Sequence, residues 1–244
     1  ILSRQILVME GTKAGREGNE PTEEEVRRNC LGAVEVEEGL VVADFSPRNF
    51  ERLETFLRIA LETGRKMAVL PKDAYLLDAL GLVDGVDRIK DLLIYRDLKA
   101  RRDGWEAEVL EKFDAKLVDP REVGRRAEEY ILAFSFWDLK NLLDIEAKGG
   151  RYIYSSSEAY TEDQVIDFQR LHNWLRYMGL EVVGFEVVDG RPRFQKGFHA
   201  SGHASAEELL AIARAIDPEI LVPVHTEDPN FFAEQAQWWL FACF

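Results

Sequence analysis

Residues 40–70 decide the fold, and they read LVVADFSPRNFERLETFLRIALETGRKMAVL. The segment opens on one apolar run, 40–43, and closes on another, 67–70. Between the two runs, apolar side chains recur at the three- and four-residue spacing of a single helix face, and Gly64 ends that pattern. The segment therefore predicts a strand, a helix and a second strand of a parallel sheet.

The same alternation continues on both sides of this segment. Each further run is apolar along its whole length, which is typical of strands covered by helices on both faces. The sequence thus predicts an α/β fold with a mostly parallel sheet flanked by helices. Strands are expected at 6–9, 92–95, 130–134, 152–154 and 180–183, and helices from Thr22, at 73–80 closed by Gly81, at 137–143 and at 161–179. The charged stretch 96–119 predicts no clear element.

The composition limits the class of protein. The 244 residues are 46% hydrophobic, enough to fill a substantial core, and their net charge is −14. This charge argues against broad, nonspecific phosphate binding, although a local basic groove is compatible with it. Cys30 and Cys243 are too few for a disulfide framework or a thiolate zinc site, so a reducing cytoplasm is the expected location. The sequence shows no secretory signal, and no apolar run approaches the roughly 20 residues of a membrane span.

Three of the four histidines lie in two short motifs, GFHASGHAS at 197–205 and LVPVHTE at 221–227. His203 comes just before a predicted helix in which Ser205 and Glu208 have the spacing of a capping box. Free N–H groups at a helix start favour an anion, so His199, Ser201 and His203 predict a phosphate site. A lone histidine would be expected to cap the turn, whereas two in five residues favour the functional interpretation.

Polar side chains follow several predicted strands, at the edge where ligands gather on parallel sheets. Glu10 ends the first strand, and its carboxylate is equally compatible with orienting a histidine and with capping a loop. A structural role is favoured for Asp44, for His172 and, from its own strand alone, for His225. Glu227 and Asp228 either orient His225 or face solvent. The remaining cluster at such a strand end is 155–158.

Taken together, the two histidine motifs resemble those of the β-CASP branch of metallo-β-lactamase-fold nucleases, of the ribonuclease J type. Glu10-Gly11-Thr12 is similar to the acidic motif of that family, and residues 152–159 and the helix after Asn49 resemble its inserted domain. The resemblance implies that residues 1–19 end the first part of a metallo-β-lactamase domain. Residues 20–184 would then form the β-CASP domain, and 185–244 would return into the first domain.

The resemblance also implies a function, namely zinc-dependent hydrolysis of RNA phosphodiester bonds by an exonuclease, an endonuclease or both. His225 would ligate one of two zinc ions. His203 would contact the scissile phosphate and protonate the leaving oxygen, with Glu10 as its hydrogen-bond partner. His199 and Ser201 would bind phosphate, and Ser155 and Glu158 would line the substrate groove. The implied partners are single-stranded RNA and, as one option, a second copy of the chain.

The sequence also departs from the family pattern. The family's His-x-His-x-Asp-His cluster is absent, so the chain is expected to begin partway through the metallo-β-lactamase domain and to be inactive alone. The aromatic tail 235–244 is an unusual final strand, an interface or an artefact. Two alternative functions are a non-catalytic module that binds nucleic acid or a protein, and a small-molecule metallo-hydrolase. The acidic charge favours both alternatives. The presence of Glu10, His203 and His225 together opposes the first, and the long insert opposes the second.

Overall fold

The computed structural model describes residues 6–15, 21–46, 48–146, 149–159, 161–226, 228, 230–235 and 240–241. The chain divides into two compact units. The smaller unit comprises Ile1–Glu20 and Ser201–Phe244, and the larger unit is Pro21–Ala200. The predicted return into the first domain, at residue 185, lies earlier in the chain than this division. The assignment of the units to β-CASP and metallo-β-lactamase domains stays a prediction.

Strands and helices alternate along most of the described residues, and three strands follow one another between residues 180 and 194. The strands are β1 (Ile6–Glu10), β2 (Leu40–Asp44), β3 (Lys66–Val69), β4 (Leu92–Tyr95), β5 (Leu117–Val118), β6 (Tyr130–Ala133), β7 (Gly150–Tyr154), β8 (Leu180–Val183), β9 (Phe185–Val188), β10 (Arg191–Phe194), β11 (Ile220–Val224) and β12 (Leu240–Phe241). The α-helices are α1 (Glu23–Glu35), α2 (Phe50–Glu62), α3 (Pro71–Asp84), α4 (Gly104–Lys112), α5 (Pro120–Arg125), α6 (Leu142–Ile145), α7 (Glu162–Tyr177), α8 (Ala206–Ile216) and α9 (Phe231–Gln235). No described helix is long and apolar enough to span a membrane.

The larger unit is built on a seven-stranded sheet in the order β5-β4-β3-β6-β2-β7-β8, and every neighbouring pair is parallel. Helices α1 to α4 contribute to the hydrophobic cluster on one face, and α5 to α7 to the cluster on the other. In β2, Val41 and Ala43 face the first cluster, while Leu40 and Val42 face the second. Burial on both faces explains why the strand sequences do not alternate, and the predicted fold class is confirmed.

Local capping signals fix most helix ends. Thr22 and Glu25 form the predicted capping box of α1, and Gly64 follows α2 with a φ of 69°. The predicted end of the next helix is wrong, because Gly81 lies inside α3. This helix runs from Pro71 to Asp84 and ends at Gly85, whose φ of 74° is left-handed. The stretch 96–119, for which no element was predicted, contains α4 and the two-residue strand β5.

The smaller unit pairs the two ends of the chain. Strand β1 is parallel to β11, in a register that places Glu10 opposite Val224, and β12 is parallel to β11. Helix α8 packs on this sheet through Leu209 and Ala213. The strand β12 agrees with the final-strand interpretation of the aromatic tail, and most of that tail lies outside the described residues. Because parallel strands end at the same edge, Glu10 and His225 are placed at one edge of this sheet.

Asp44, at the end of β2, is a buried carboxyl group in the larger unit. Its Oδ2 accepts a hydrogen bond from the hydroxyl of Tyr152, and it also accepts one from the backbone N–H of Phe136. Burial raises the pKa of Asp44 to about 7, and the hydrogen bond from Tyr152 offsets only part of this effect. The group is thus near the midpoint of its titration at neutral pH.

The raised pKa of Asp44 predicts a dependence of stability on pH. Since the folded-state pKa lies above the unfolded value, the stabilisation is complete below about pH 4 and is lost as the pH rises through about 7. Asp44→Asn removes this titration. We therefore expect the free energy of unfolding of the variant, measured with urea, to rise relative to that of the parent as the pH goes from 4 to 8. The change should reach about 4 kcal/mol. A stability difference that stays constant with pH would contradict the assignment.

Substitution of two glycines by alanine is expected to have opposite effects on the free energy of unfolding. A Cβ on Gly150, whose φ is 128°, would lie 2.3 Å from the carbonyl oxygen of Leu40 on the neighbouring strand. We expect Gly150→Ala to lower the free energy of unfolding by about 2–4 kcal/mol. Gly32 is exposed within α1 and has no atom within 4 Å of an added Cβ, so Gly32→Ala should stabilise by up to about 1 kcal/mol. Equal effects of the two substitutions in urea unfolding would show that the close approach does not matter.

Candidate functional site

Glu10 and His203 form a carboxylate–imidazole pair in the smaller unit. Glu10 ends β1, and His203 lies in the turn before α8. Glu10 Oε2 lies 3.2 Å from His203 Nδ1 and accepts a hydrogen bond from the Thr12 N–H at 3.0 Å. Its Oε1 accepts one from the Ala204 N–H at 3.2 Å. The carboxylate therefore holds both the imidazole and the backbone next to it.

The surroundings of Glu10 keep its carboxylate charged. Partial burial raises the pKa of Glu10, but hydrogen bonds from Thr12, the nearby His203 and the Ala204 N–H outweigh burial and hold the pKa below its usual value. A charged carboxylate favours a proton on the facing Nδ1, which leaves Nε2 as the second ring nitrogen for chemistry. The His203 side chain is 50% exposed, so a substrate can reach it.

The start of α8 is largely capped by its own side chains. The Ser205 hydroxyl accepts from the Glu208 N–H at 3.3 Å, and the Glu208 carboxylate accepts from the Ser205 N–H at 2.8 Å. This confirms the predicted capping box. Ser201 Oγ accepts from the His203 N–H at 3.3 Å. With two glutamates in the first turn of α8, the helix end alone is a weak anion site, and His203 is the cationic group when it is protonated.

His225 directly follows β11 and is exposed, in a left-handed conformation with a φ of 54°. The next residue, Thr226, accepts the Asp228 N–H through its Oγ1 at 3.1 Å, while Glu227 lies outside the described residues. Among the residues that the structure describes, no group of three or more His, Cys, Asp or Glu side chains could hold a metal ion. One imidazole does not make a closed tetrahedral zinc site, so the described residues do not fit such a site by themselves.

The other predicted substrate residues belong to the larger unit. Glu158 is exposed and His199 is partly buried. Ser155 is 1% exposed, its hydroxyl donates to the carbonyl oxygen of Phe198, and it also contacts Arg52. The Ser155 hydroxyl therefore makes its hydrogen bonds inside the fold, and Ser155 is not among the substrate contacts that we propose.

Sequence reasoning missed Arg52, whose side chain is fully buried. Its guanidinium donates to Glu23 at 2.9 Å, to the Ser155 carbonyl oxygen at 2.9 Å and to the Phe198 carbonyl oxygen at 3.1 Å. Arg52 thus ties α1, α2 and the end of β7 to the residue just before His199. In the sequence, the burial of Arg52 is indicated by its position four residues before Phe56, which places it on the apolar face of α2.

A carboxylate that orients an exposed imidazole is the arrangement of a general acid–base site, as hydrolases use. Comparison with protein families agrees with this class. Residues 191–237, which include His199, His203 and His225, match the Zn-dependent metallo-hydrolase RNA specificity domain. The match links this segment to zinc-dependent metallo-hydrolases and to RNA, and it is consistent with the resemblance to β-CASP metallo-β-lactamase-fold nucleases. The chain has no match among curated proteins.

Loss of the buried guanidinium should be costly. Arg52→Ala removes the guanidinium donor from the Ser155 carbonyl oxygen and the Glu23 carboxylate, and leaves the Phe198 carbonyl oxygen with the Ser155 hydroxyl alone, so we expect urea unfolding to show a loss of about 3 kcal/mol. Arg52→Lys keeps the charge but loses the forked geometry, so it should recover only part of this stability.

The matched control is Arg191→Ala, because the Arg191–Glu162 pair is 70% and 78% exposed. This variant should unfold almost like the parent protein. If Arg52→Ala were equally mild, Arg52 would not hold these elements together.

Proposed function

We propose that this chain is part of a zinc-dependent ribonuclease of the β-CASP type that hydrolyses phosphodiester bonds in single-stranded RNA during RNA processing or decay. The observation that carries the proposal is the Glu10–His203 pair. It places an oriented, half-exposed imidazole within the segment that matches an RNA specificity domain. In the proposed reaction the imidazolium form of His203 is the general acid: its Nε2–H gives its proton to the leaving oxygen, and the ring becomes neutral with its remaining proton on Nδ1, facing Glu10.

The proposed role of Glu10 is to position His203. Its carboxylate holds the Nδ1 side of the ring, so that Nε2 is the atom that meets the scissile phosphate. The bond from the Ala204 N–H to the same carboxylate fixes the backbone beside the ring. A ring fixed in this way loses little freedom when substrate binds, which is how a positioning residue lowers the barrier.

His199 and Ser201 are the proposed phosphate contacts, and Glu158 is a proposed contact of the substrate groove. His225 is the residue that we assign to zinc. Because the described residues do not form a closed zinc site, the other ligands must come from beyond them, and no catalytic step is assigned to the metal here.

A non-catalytic module that binds RNA is the second candidate. It is favoured by the lack of a three-ligand cluster among the described residues. The net charge of −14 does not separate the two candidates, because it disfavours contacts with the RNA backbone in both. The two candidates differ in their response to loss of His203. A binding module needs no general acid, so its affinity for RNA would be the only property to change.

Cleavage of a labelled single-stranded RNA by the full-length protein with zinc tests the proposal. His203→Ala should lower kcat by about 10²–10⁴-fold, the usual contribution of a general acid. Glu10→Gln should lower kcat less, because the imidazole remains in place. Both variants should bind RNA nearly as the parent protein does, since His203 is half-exposed and a single contact is lost.

Glu207→Gln is the control, since Glu207 is exposed in the first turn of α8 and its carboxylate lies outside the pair. It should cleave RNA like the parent protein. Unchanged turnover in His203→Ala would remove His203 from the mechanism. RNA binding without cleavage by the parent protein would favour the non-catalytic module.

A further inference from the structure

A cavity of about 410 Å³ lies in the larger unit, at the carboxyl ends of three neighbouring strands. Its wall includes 44–46 after β2, 135–137 after β6, and Tyr154 and Ser156 at the end of β7. The volume falls within the range of about 300–1,000 Å³ of small-molecule sites. None of the residues proposed for RNA hydrolysis lines the cavity, so it is a separate feature that the proposed function leaves unexplained.

The topology of the sheet makes this position a ligand site. Strand β2 lies between β6 and β7, and the helix that follows it, α2, packs on one face of the sheet. The helices that follow β6 and β7, namely α6 and α7, pack on the opposite face. The chain therefore leaves neighbouring strands in opposite directions, which opens a crevice beyond their carboxyl ends. In open α/β sheets, ligands bind in crevices of this kind.

Aromatic rings form much of the cavity wall. Phe45, Tyr154 and Phe168 are buried at its base, and the rings of Tyr154 and Phe168 meet edge to face at 5.1 Å. Trp137 also lines the cavity and is 69% exposed. Its ring contacts that of Phe136, and the Arg170 guanidinium lies 5.4 Å from the centre of the Phe136 ring. An exposed indole beside buried rings is a surface on which a flat, unsaturated ring can stack.

The polar groups of the cavity favour a neutral ligand over an anion. Asp44 and Asp167 are carboxyl groups in its wall. The lining cation, Lys72, is paired with Asp138 at 2.6 Å, and the neighbouring Arg170 is paired with Asp167 at 2.8 Å. A phosphate placed inside would meet these carboxyl groups without an available cation in the wall. The hydroxyls of Ser46 and Ser156 each offer one donor and two acceptors, which suit the edge of a heterocycle.

We propose that this cavity binds a nucleobase, with the ring stacked on Trp137, the base edge hydrogen-bonded by the serine hydroxyls, and any phosphate left outside. The base comes either from a free nucleoside or from an unstacked position in single-stranded RNA, and the RNA source rests on the proposed function. Single-stranded RNA is commonly recognised in this way, by bases that stack on aromatic side chains.

Calorimetric titration of the full-length protein with the four ribonucleosides, and with short oligoribonucleotides of each base, tests the proposal. Trp137→Ala should weaken binding of the preferred base about tenfold, which is the loss expected for one stacking ring. Ser156→Phe, which fills the cavity, should weaken it at least as much. Both substitutions are in the larger unit and change neither residue of the Glu10–His203 pair, so cleavage of a saturating RNA should keep its kcat.

Trp174→Ala is the matched control, since Trp174 is a 40% exposed indole on α7 that does not line the cavity. It should leave the affinity unchanged. Binding of oligonucleotides but not of nucleosides, lost in Trp137→Ala, would identify RNA as the source. Binding of nucleosides as tightly as oligonucleotides would identify the free nucleoside.

Two results would overturn the proposal. One is equal binding of an abasic ribose-phosphate oligomer and a base-carrying oligomer. The other is an affinity that neither Trp137→Ala nor Ser156→Phe changes. Unchanged RNA cleavage in His203→Ala together with intact base binding would count against the proposed function alone and leave the cavity proposal in place, so failures of the two ideas can be told apart.

Discussion

The parallel pairing of strands is the constraint on which both sites depend. Parallel strands that lie side by side end at the same edge, so the residues that follow them meet even when they are far apart in sequence. The β1–β11 pair places Glu10 and His225, from opposite ends of the chain, at one edge of the smaller sheet. The β6-β2-β7 set brings Asp44, Ser135 and Ser156 around one cavity in the larger sheet.

Burial decides what a polar residue at such a strand end does. Glu10 keeps a third of its side chain exposed, stays charged and orients a half-exposed imidazole. Ser155 also follows an apolar strand in the sequence, yet it is buried beside Arg52, and its hydroxyl donates to a backbone carbonyl inside the fold. Asp44 is intermediate, because burial favours its neutral form while a cavity opens beside it. The same sequence signal therefore precedes a proposed catalytic pair, a structural contact or the wall of a proposed ligand site, according to solvent access.

The charge of the protein bears on how it would hold RNA. An affinity that relies on phosphate contacts needs many cations and falls steeply with salt. Here the net charge is −14, and the start of α8 satisfies its own N–H groups through Ser205 and Glu208. Stacking of bases does not need positive charge, so the base binding that we propose beside Trp137 would give an acidic protein a different source of affinity.

The sequence by itself determined the α/β class, most strands and helices, two capping boxes, and a histidine segment whose family match confirmed the link to RNA and zinc. These features depend on neighbours within about four residues, which the sequence displays directly. The extension of α3 beyond Gly81, the helix α4 and the burial of Arg52 were decided by the tertiary structure. In the first two cases, tertiary packing overrides a weak local preference for or against helix. In the third case, the hydrogen-bond partners of Arg52 lie 29 to 146 residues away in the sequence. A single chain position does not reveal such distant partners, because only folding brings them within hydrogen-bond distance.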